Sequence, residues 1–481
     1  MKMTKCRFAV CLIFLLAATA LLASVCAAAE GNTVYLDARG GSDAHSGRSA
    51  AEAFATMDAA ISAVKDGGSV VLVSDYTVTG HYTQPAHAGE IVLTSKDGAK
   101  DYGTKLIFDV RGETHYRLSG PTVFRDLKIE LGNFVMFAAQ FNPLTFDIGL
   151  TVTNGEKYAF VIGGYQTPSS ASLASDLDSH ITINSGSFYK LCGFTRTKGV
   201  ATMTYTGTAH ITVNGGSVRD IYGGSLYNHY SGSAEITVNG GSIATVSAGG
   251  DGTRRLDGDA AVTVNGGTVG TIDVNNVVGN ATVTLAGGNV GGVGVSYASD
   301  AVRKLDGQAG SQKTLAANPL RFTEAQLARF EKDFDRFENL AVVYVATGAF
   351  GGGLTASDPC SLSKAFALLK DFGGRIVVNS KCYSDLAAEL GSFGGAITLE
   401  GVNGGEIVFG SRASLCFAGD LTLKNITLTQ TERLHLCVRD GVLSLGEGVR
   451  VSGGRLDLTG AGAHSAITVG AGNVGLSLIH I

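Results

Sequence analysis

Between Leu150 and Val290, apolar and polar residues alternate in short phrases that return with little drift. They read LTVTNGEKYAFVIGG from Leu150, ITINSGSFYKLCG from Ile181, ITVNGGSVRDIYGG from Ile211, ITVNGGSIATVSAGG from Ile236, VTVNGGTVGTIDV from Val262 and VTLAGGNVGGVGV from Val283. Within one phrase Ile211 and Val213 flank Thr212, the period-two pattern of a strand with one buried face. Asn214-Gly215-Gly216 supplies a turn, and Val218 and Ile221 resume the apolar face in a second strand. Recurrence of one supersecondary unit is the mark of a repeat architecture. An Asn-Gly turn also suits an antiparallel hairpin. The nearly identical register of successive units favours parallel stacking, which sets like on like about 4.8 Å apart. The predicted fold class is therefore all-β, a right-handed parallel β-helix in which each phrase forms one coil.

In that stack Asn154, Asn184, Asn214, Asn239 and Asn265 occupy one corner, where side-chain amides can bond along the axis as an asparagine ladder. The sixth phrase has Ala286 there, so the ladder is expected to end.

The stretch TVYLDARGGSDAHSGRSAAEAFATMDAAISAVKDGGSVVLVSDYTV, Thr33 to Val78, carries a strand, a Gly/Asp/Ser-rich turn, an amphipathic helix and a Gly-Gly turn. Ser49 and Glu52 read as the helix's capping box, with Phe54, Met57, Ile61 and Val64 as its apolar stripe. This segment resembles the opening of the pectin-lyase-like right-handed β-helix superfamily, in which a helix caps the first coil. Asp37 and Asp43 resemble acidic positions of that opening, and Asx hydrogen bonds give them a turn-holding role. The resemblance covers the opening and the repeat style and extends to no catalytic motif.

From Val342 the pattern recurs as VVYVATGAFGGGLTASDPCSLSKAFALLKDFGGRIVV, where Tyr344 answers Tyr35 and Gly373-Gly374 answers Gly67-Gly68. The chain thus divides into residues 1–29, an export signal; 30–302, a first β-helix module; 303–340, a helical cap or connector; and 341–475, a second module. In the connector Thr323 and Gln326 form a capping box, with Leu327, Phe330 and Phe334 on one apolar face, and it is expected to close the first module. Residues 476–481, LSLIHI, match the translation of a transposon end used in sequencing libraries, so they are expected to be an artefact that cuts the second module short.

The signal rests on Lys2, Lys5 and Arg7, an apolar run from Phe8 to Val25, and Ala27-Ala28-Ala29. A secreted or cell-surface location follows, with no membrane-spanning segment once the signal is removed. Gly numbers 67, Pro 6 and Trp 0, a balance that favours many short strands and tight turns. Net charge is −5, which gives no bulk attraction for nucleic acid and excludes that partner class. Cys192, Cys360, Cys382, Cys416 and Cys437 remain beyond the signal, none at metal or redox spacing; Cys416 and Cys437 stand one coil apart, where they could pair or remain buried thiols.

Sugar-cleaving members of the superfamily place an acid pair, or Ca²⁺ with a basic residue, on one exposed sheet. The repeats offer Lys190, Asp220, Thr245, Thr271 and Gly291 at equivalent positions, without a column of acids. Asp251, Asp257 and Asp259 share a loop with Arg254 and Arg255; they are weak metal candidates, and Ca²⁺ is the one cofactor they suggest. No Gly-rich phosphate loop, Ser/His/Asp order or His metal pair is read from the sequence. Length variation between units falls after the second strand, so loops project from one side. These carry Tyr222, Tyr227, Asn228, His229, Tyr230, Arg254 and Arg255, with Tyr165, Gln166, Arg196 and Lys198, a mixture of rings and donors suited to a glycan. The expected function is a non-catalytic adhesive or structural surface module that contacts an extracellular polysaccharide or a glycan on a host or cell surface. The alternative is a polysaccharide lyase or glycoside hydrolase.

Overall fold

The computed structural model describes residues 32–98, 100–165, 173–196, 203–251, 254–294, 311–470 and 479–480. The export signal, Gln166, Lys198 and most of the LSLIHI segment lie outside these residues. No helix among the described residues is long and apolar enough to cross a membrane. The chain is a nearly all-β parallel solenoid and divides into two compact units, Met1–Thr314 and Leu315–Ile481.

In the first unit one sheet stacks Thr33–Leu36, Gly68–Leu72, Ile91–Thr94, Thr122–Phe124, Leu144–Phe146, Ser179–Ile183, Thr208–Val213, Ser233–Val238, Ala260–Val264 and Ala281–Leu285 in that order. Every pairing along it is parallel. A second sheet stacks the return strands, including Thr114–Arg117, Val135–Ala138, Ala159–Ile162, Ser187–Cys192, Ser217–Tyr222, Ser242–Ser247 and Thr268–Asp273. The early coils have a third strand each, Tyr76–Val78, Lys105–Phe108, Lys128–Leu131 and Thr151–Thr153. After Thr153 this third side disappears, and a three-residue turn, Asn184-Ser185-Gly186, then Asn214-Gly215-Gly216 and its successors, joins the two sheets.

That change of coil shape corrects the register of the first phrase. Thr151–Thr153 pairs with Lys128–Glu130 in the third sheet, and Asn154 donates from Nδ2 to the Leu131 carbonyl at 3.1 Å. Asn154 is therefore not a rung of the ladder. The rung opposite Asn184 is Asp147, which follows Leu144–Phe146 in the first sheet. Asn184 Nδ2 donates to Asp147 Oδ1 at 2.7 Å, Asn214 to Asn184 and Asn239 to Asn214 at 2.7 Å, and Asn265 to Asn239 at 2.8 Å. An ionised carboxylate only accepts, so Asp147 fixes the direction of every amide above it.

The two glycines of the turn have separate reasons. Gly216 has φ 74°, in the left-handed region that a side chain rarely adopts. Gly215 has no such constraint, but a Cβ there would lie 2.4 Å from the Asn184 carbonyl oxygen of the preceding coil. Inside, Ile181, Ile211, Ile236, Val262 and Val283 form one apolar column, and Leu191, Ile221, Val246, Ile272 and Val293 face it; all are at most 3 % exposed. Each such side chain contributes roughly 1.5–3 kcal/mol by burial.

The cap helix spans Met57–Ala63 and begins later than the Ser49/Glu52 spacing suggests: Ser49 precedes a short 3-10 turn and makes no side-chain cap bond. Thr56 is the cap, its hydroxyl accepting from Ala59 N at 3.2 Å. Asp43 holds this start by accepting from the Ala55 and Thr56 amides at 2.9 Å and from Thr56 Oγ1 at 2.8 Å, while Asp37 accepts from the Arg39 and Gly40 amides. Phe54, Met57, Ile61 and Val64 are all buried.

The second unit repeats the opening, with strand Val342–Val345, helix Leu362–Leu369 capped by Ser361, and strand Gly374–Val378. Helix Glu324–Asp333 starts with Thr323 N donating to Gln326 Oε1 at 2.9 Å and Gln326 N to Thr323 Oγ1 at 3.3 Å, a reciprocal capping box. Residues from Leu315 onward fall within this second unit, and Leu320 packs against its core. Cys416 and Cys437 face each other in register as free thiols.

Burial alone would push the Asp147 carboxyl up, but the Asn184 amide, the Ile148 N–H and the Arg125 guanidinium outweigh it and hold it below the usual carboxylate range. Its stabilisation is thus complete above about pH 4, the unfolded value, and is lost as pH falls through the lower folded value. Acid unfolding followed by circular dichroism should show Asp147→Asn losing part of this pH dependence. Asn214→Ala, which breaks two rungs, and Gly216→Ala, which strains the turn, should each lower unfolding stability by about 1–3 kcal/mol in urea titrations.

Candidate functional site

Strands of the second sheet turn alternate residues outward, and parallel register lines these up in columns. One column runs His115, Met136, Phe160, Lys190, Asp220, Thr245, Thr271 and Gly292. The last position is Gly292 rather than Gly291, since the final strand keeps the register of the coils before it and Gly292 stands six residues after Ala286, as Asp220 does after Asn214. The next column places Ile162, Cys192 and Tyr222 side by side.

Where the first column changes from apolar to charged, a polar cluster forms. Lys190 Nζ lies 3.7 Å from Asp220 Oδ2 and 3.9 Å from Asp251 Oδ2, and donates to the Tyr222 hydroxyl at 3.3 Å. Lys190 and Asp220 come from neighbouring coils, whereas Asp251 arrives from the loop after Ser242–Ser247, which folds back over the sheet. Arg219 Nε stands 3.8 Å from Asp220. Tyr222 is 7 % exposed; burial, then the Asp220 and Asp251 charges, push its phenol far above the ordinary range, so it remains a proton donor.

An aromatic rim borders the cluster. Phe134 is exposed, with ring centroids 5.3 Å from Tyr158, 5.7 Å from Phe160 and 6.4 Å from Tyr189. Phe160 and Tyr189 meet edge to face at 5.2 Å. The Arg219 guanidinium stands 5.0 Å from the Tyr189 ring centroid and Lys190 Nζ 5.5 Å from it, both within cation–π range. Arg196 closes the other side: its guanidinium lies 4.6 Å from the Phe160 centroid and its Nη1 2.5 Å from Glu113 Oε2.

Compared with known proteins, the chain matches no family model, no curated sequence and no solved structure.

The residues singled out in the sequence divide into four groups. Tyr222 belongs to the cluster, and Tyr227 flanks it, half-buried, 5.9 Å from the Arg196 guanidinium. Asn228 is half-buried and His229 exposed, with His229 Nδ1 accepting from the Arg255 amide at 2.9 Å; Arg254 and Arg255 sit on the same loop pair. Tyr230 is a correction: it is fully buried, stacked 5.1 Å from Phe194 and 5.4 Å from Tyr205, and is core rather than ligand surface. The three loop aspartates do not gather. Asp251 faces Lys190, Asp257 lies 3.4 Å from Arg255, and Asp259 accepts from the Asn280 amide at 2.7 Å, so the loop forms no Ca²⁺ cage among the described residues. Sequence reasoning missed the rim of Phe134, Tyr158 and Tyr189. The adjacency of Lys190 and Asp220 was legible in their equal repeat positions, but the return of Asp251 was not.

Lys190→Ala would leave Asp220 and Asp251 facing each other without their shared cation. Because these groups are only partly buried, the variant should lose about 2 kcal/mol of stability, below the roughly 3–5 kcal/mol of a fully buried pair. Asp220→Asn in the same background should recover part of that loss in urea titrations.

Proposed function

We propose that the protein is an exported β-helix module that binds glycans on the outer face of its second sheet, at the cell surface or outside the cell, without cleaving them. The observation that carries this reading is the rim of exposed Phe134 and half-buried Tyr158 and Tyr189 set against Lys190, Arg219, Asp220 and Asp251. Ring faces accommodate the C–H faces of a sugar, and donors and acceptors beside them fix its hydroxyls and orient it. The exposed Arg219 guanidinium on the rim suits an acidic sugar. The opening segment's likeness to the pectin-lyase-like superfamily, together with the parallel solenoid, supports contact with a glycan.

The ion pairing of the cluster supports binding without turnover. Asp220 and Asp251 are both engaged by Lys190, and Asp220 also by Arg219, and carboxylates tied to cations are weaker bases than free ones. The lyase or hydrolase reading is favoured by one fact, the convergence of Asp220 and Asp251 on Lys190 beside Tyr222.

Calorimetric titration with oligogalacturonate and with neutral chito- and cello-oligosaccharides distinguishes the two. The expected result is saturable binding, strongest for the acidic sugar, weakened about tenfold by Tyr189→Ala or Arg219→Ala, which corresponds to about 1.4 kcal/mol, with the oligosaccharide recovered intact. Absence of binding to all three would sink the glycan reading. Shortened or unsaturated products that disappear in Asp220→Asn would establish the enzyme instead.

A further inference from the structure

The outer face of the first sheet holds a different group. The position just before the core residues Ile181, Ile211 and Ile236 is His180 in one coil, His210 in the next and Glu235 in the third, all in register. The two imidazoles stack at 4.7 Å with planes 3° apart. Asp178, just ahead of Ser179–Ile183, is fixed by accepting the Thr208 amide on Oδ1 at 2.7 Å, and its Oδ2 lies 4.0 Å from His210 Nε2. On the other edge of the same ring, His210 Nδ1 lies 3.0 Å from Glu235 Oε2.

These contacts set the state of His210. A carboxylate at hydrogen-bond distance accepts, so Nδ1 carries the proton and donates to Glu235, and in the neutral ring the lone pair is on Nε2. That lone pair then faces the second carboxylate, Asp178, acceptor to acceptor. A cation between them removes the conflict. His180 adds a third donor atom, and one ligand atom from each of Asp178, His180 and His210 lies within 4.8 Å of the others.

We propose that Asp178, His180 and His210 bind a divalent transition-metal ion, with Glu235 orienting His210 from behind. Two imidazoles and a carboxylate suit Zn²⁺, Ni²⁺ or Cu²⁺ better than Ca²⁺ or Mg²⁺, which take oxygen ligands. A carboxylate on the far nitrogen of a ligating imidazole is the usual support of such sites. Bonds of about 2.0–2.2 Å require the donor atoms to draw closer than they stand. Asp178 and His180 are exposed, and a tilt of their side chains brings this about without moving the strands. The ion joins two successive coils and keeps coordination positions open to solvent. The site lies on the first sheet, away from the proposed glycan surface, and stands independently of that proposal.

The test uses the full chain, freed of metal with chelator under reducing conditions and titrated with Zn²⁺ by calorimetry and with Co²⁺ by absorbance. The expected result is one ion per chain at micromolar affinity, a raised unfolding temperature with metal, a loss of at least a hundredfold in the His180→Ala/His210→Ala variant, and roughly tenfold weakening in Glu235→Gln. Circular dichroism of the variants without metal checks that they fold. Unchanged stoichiometric binding in the double variant, thiolate-to-cobalt absorption that places the ion on cysteines, or no binding at millimolar metal would each overturn the proposal.

Discussion

Parallel strands stacked in register hold equivalent backbone atoms about 4.8 Å apart, and nearly every feature of this protein follows from that spacing. It is too short for a Cβ at Gly215 and the right length for one amide to reach the next. The Asn-Gly-Gly corner satisfies both conditions. One glycine bends the chain into the left-handed region, the other makes room for the carbonyl of the coil before, and the asparagine bridges the gap by hydrogen bonding. The same spacing turns an apolar position that recurs in each repeat into a continuous core column and an outward position into a row of side chains held in contact.

The rows have chemical consequences because unlike residues are forced together as readily as like ones. Phe160, Lys190 and Asp220 are neighbours only because three coils share a register, and so are His180, His210 and Glu235. A solenoid therefore assembles sites from single residues in separate repeats. Those sites sit on rigid strands, and the loops that project after the second strand add reach: Asp251 comes to Lys190 by this route.

Part of this was legible from the residues in order. Period-two alternation, the returning Asn-Gly-Gly and the doubled opening segment point to a parallel solenoid, and Thr323 and Gln326 cap their helix as their spacing suggests. Local spacing failed where a distant group intervened. The cap helix begins after Thr56 and not at Ser49, because Asp43, folded back from the opening turn, takes the amides at its start. The first ladder rung is Asp147 and not Asn154, because that coil has a third strand that the resemblance between phrases conceals. Tyr230, on a loop rich in polar residues, is drawn inside by Phe194 and Tyr205.

By itself the sequence determined which strand residues face inward in the regular coils and where those coils turn, since alternation and glycine placement act over a few residues. Tertiary structure alone decided which outward residues meet. Coil lengths here vary with each loop, so contact between His180 and His210, or between Lys190 and Asp251, depends on how each loop closes and which strand it returns to. That closure is a property of the stacked backbone, and no local pattern of side chains encodes it.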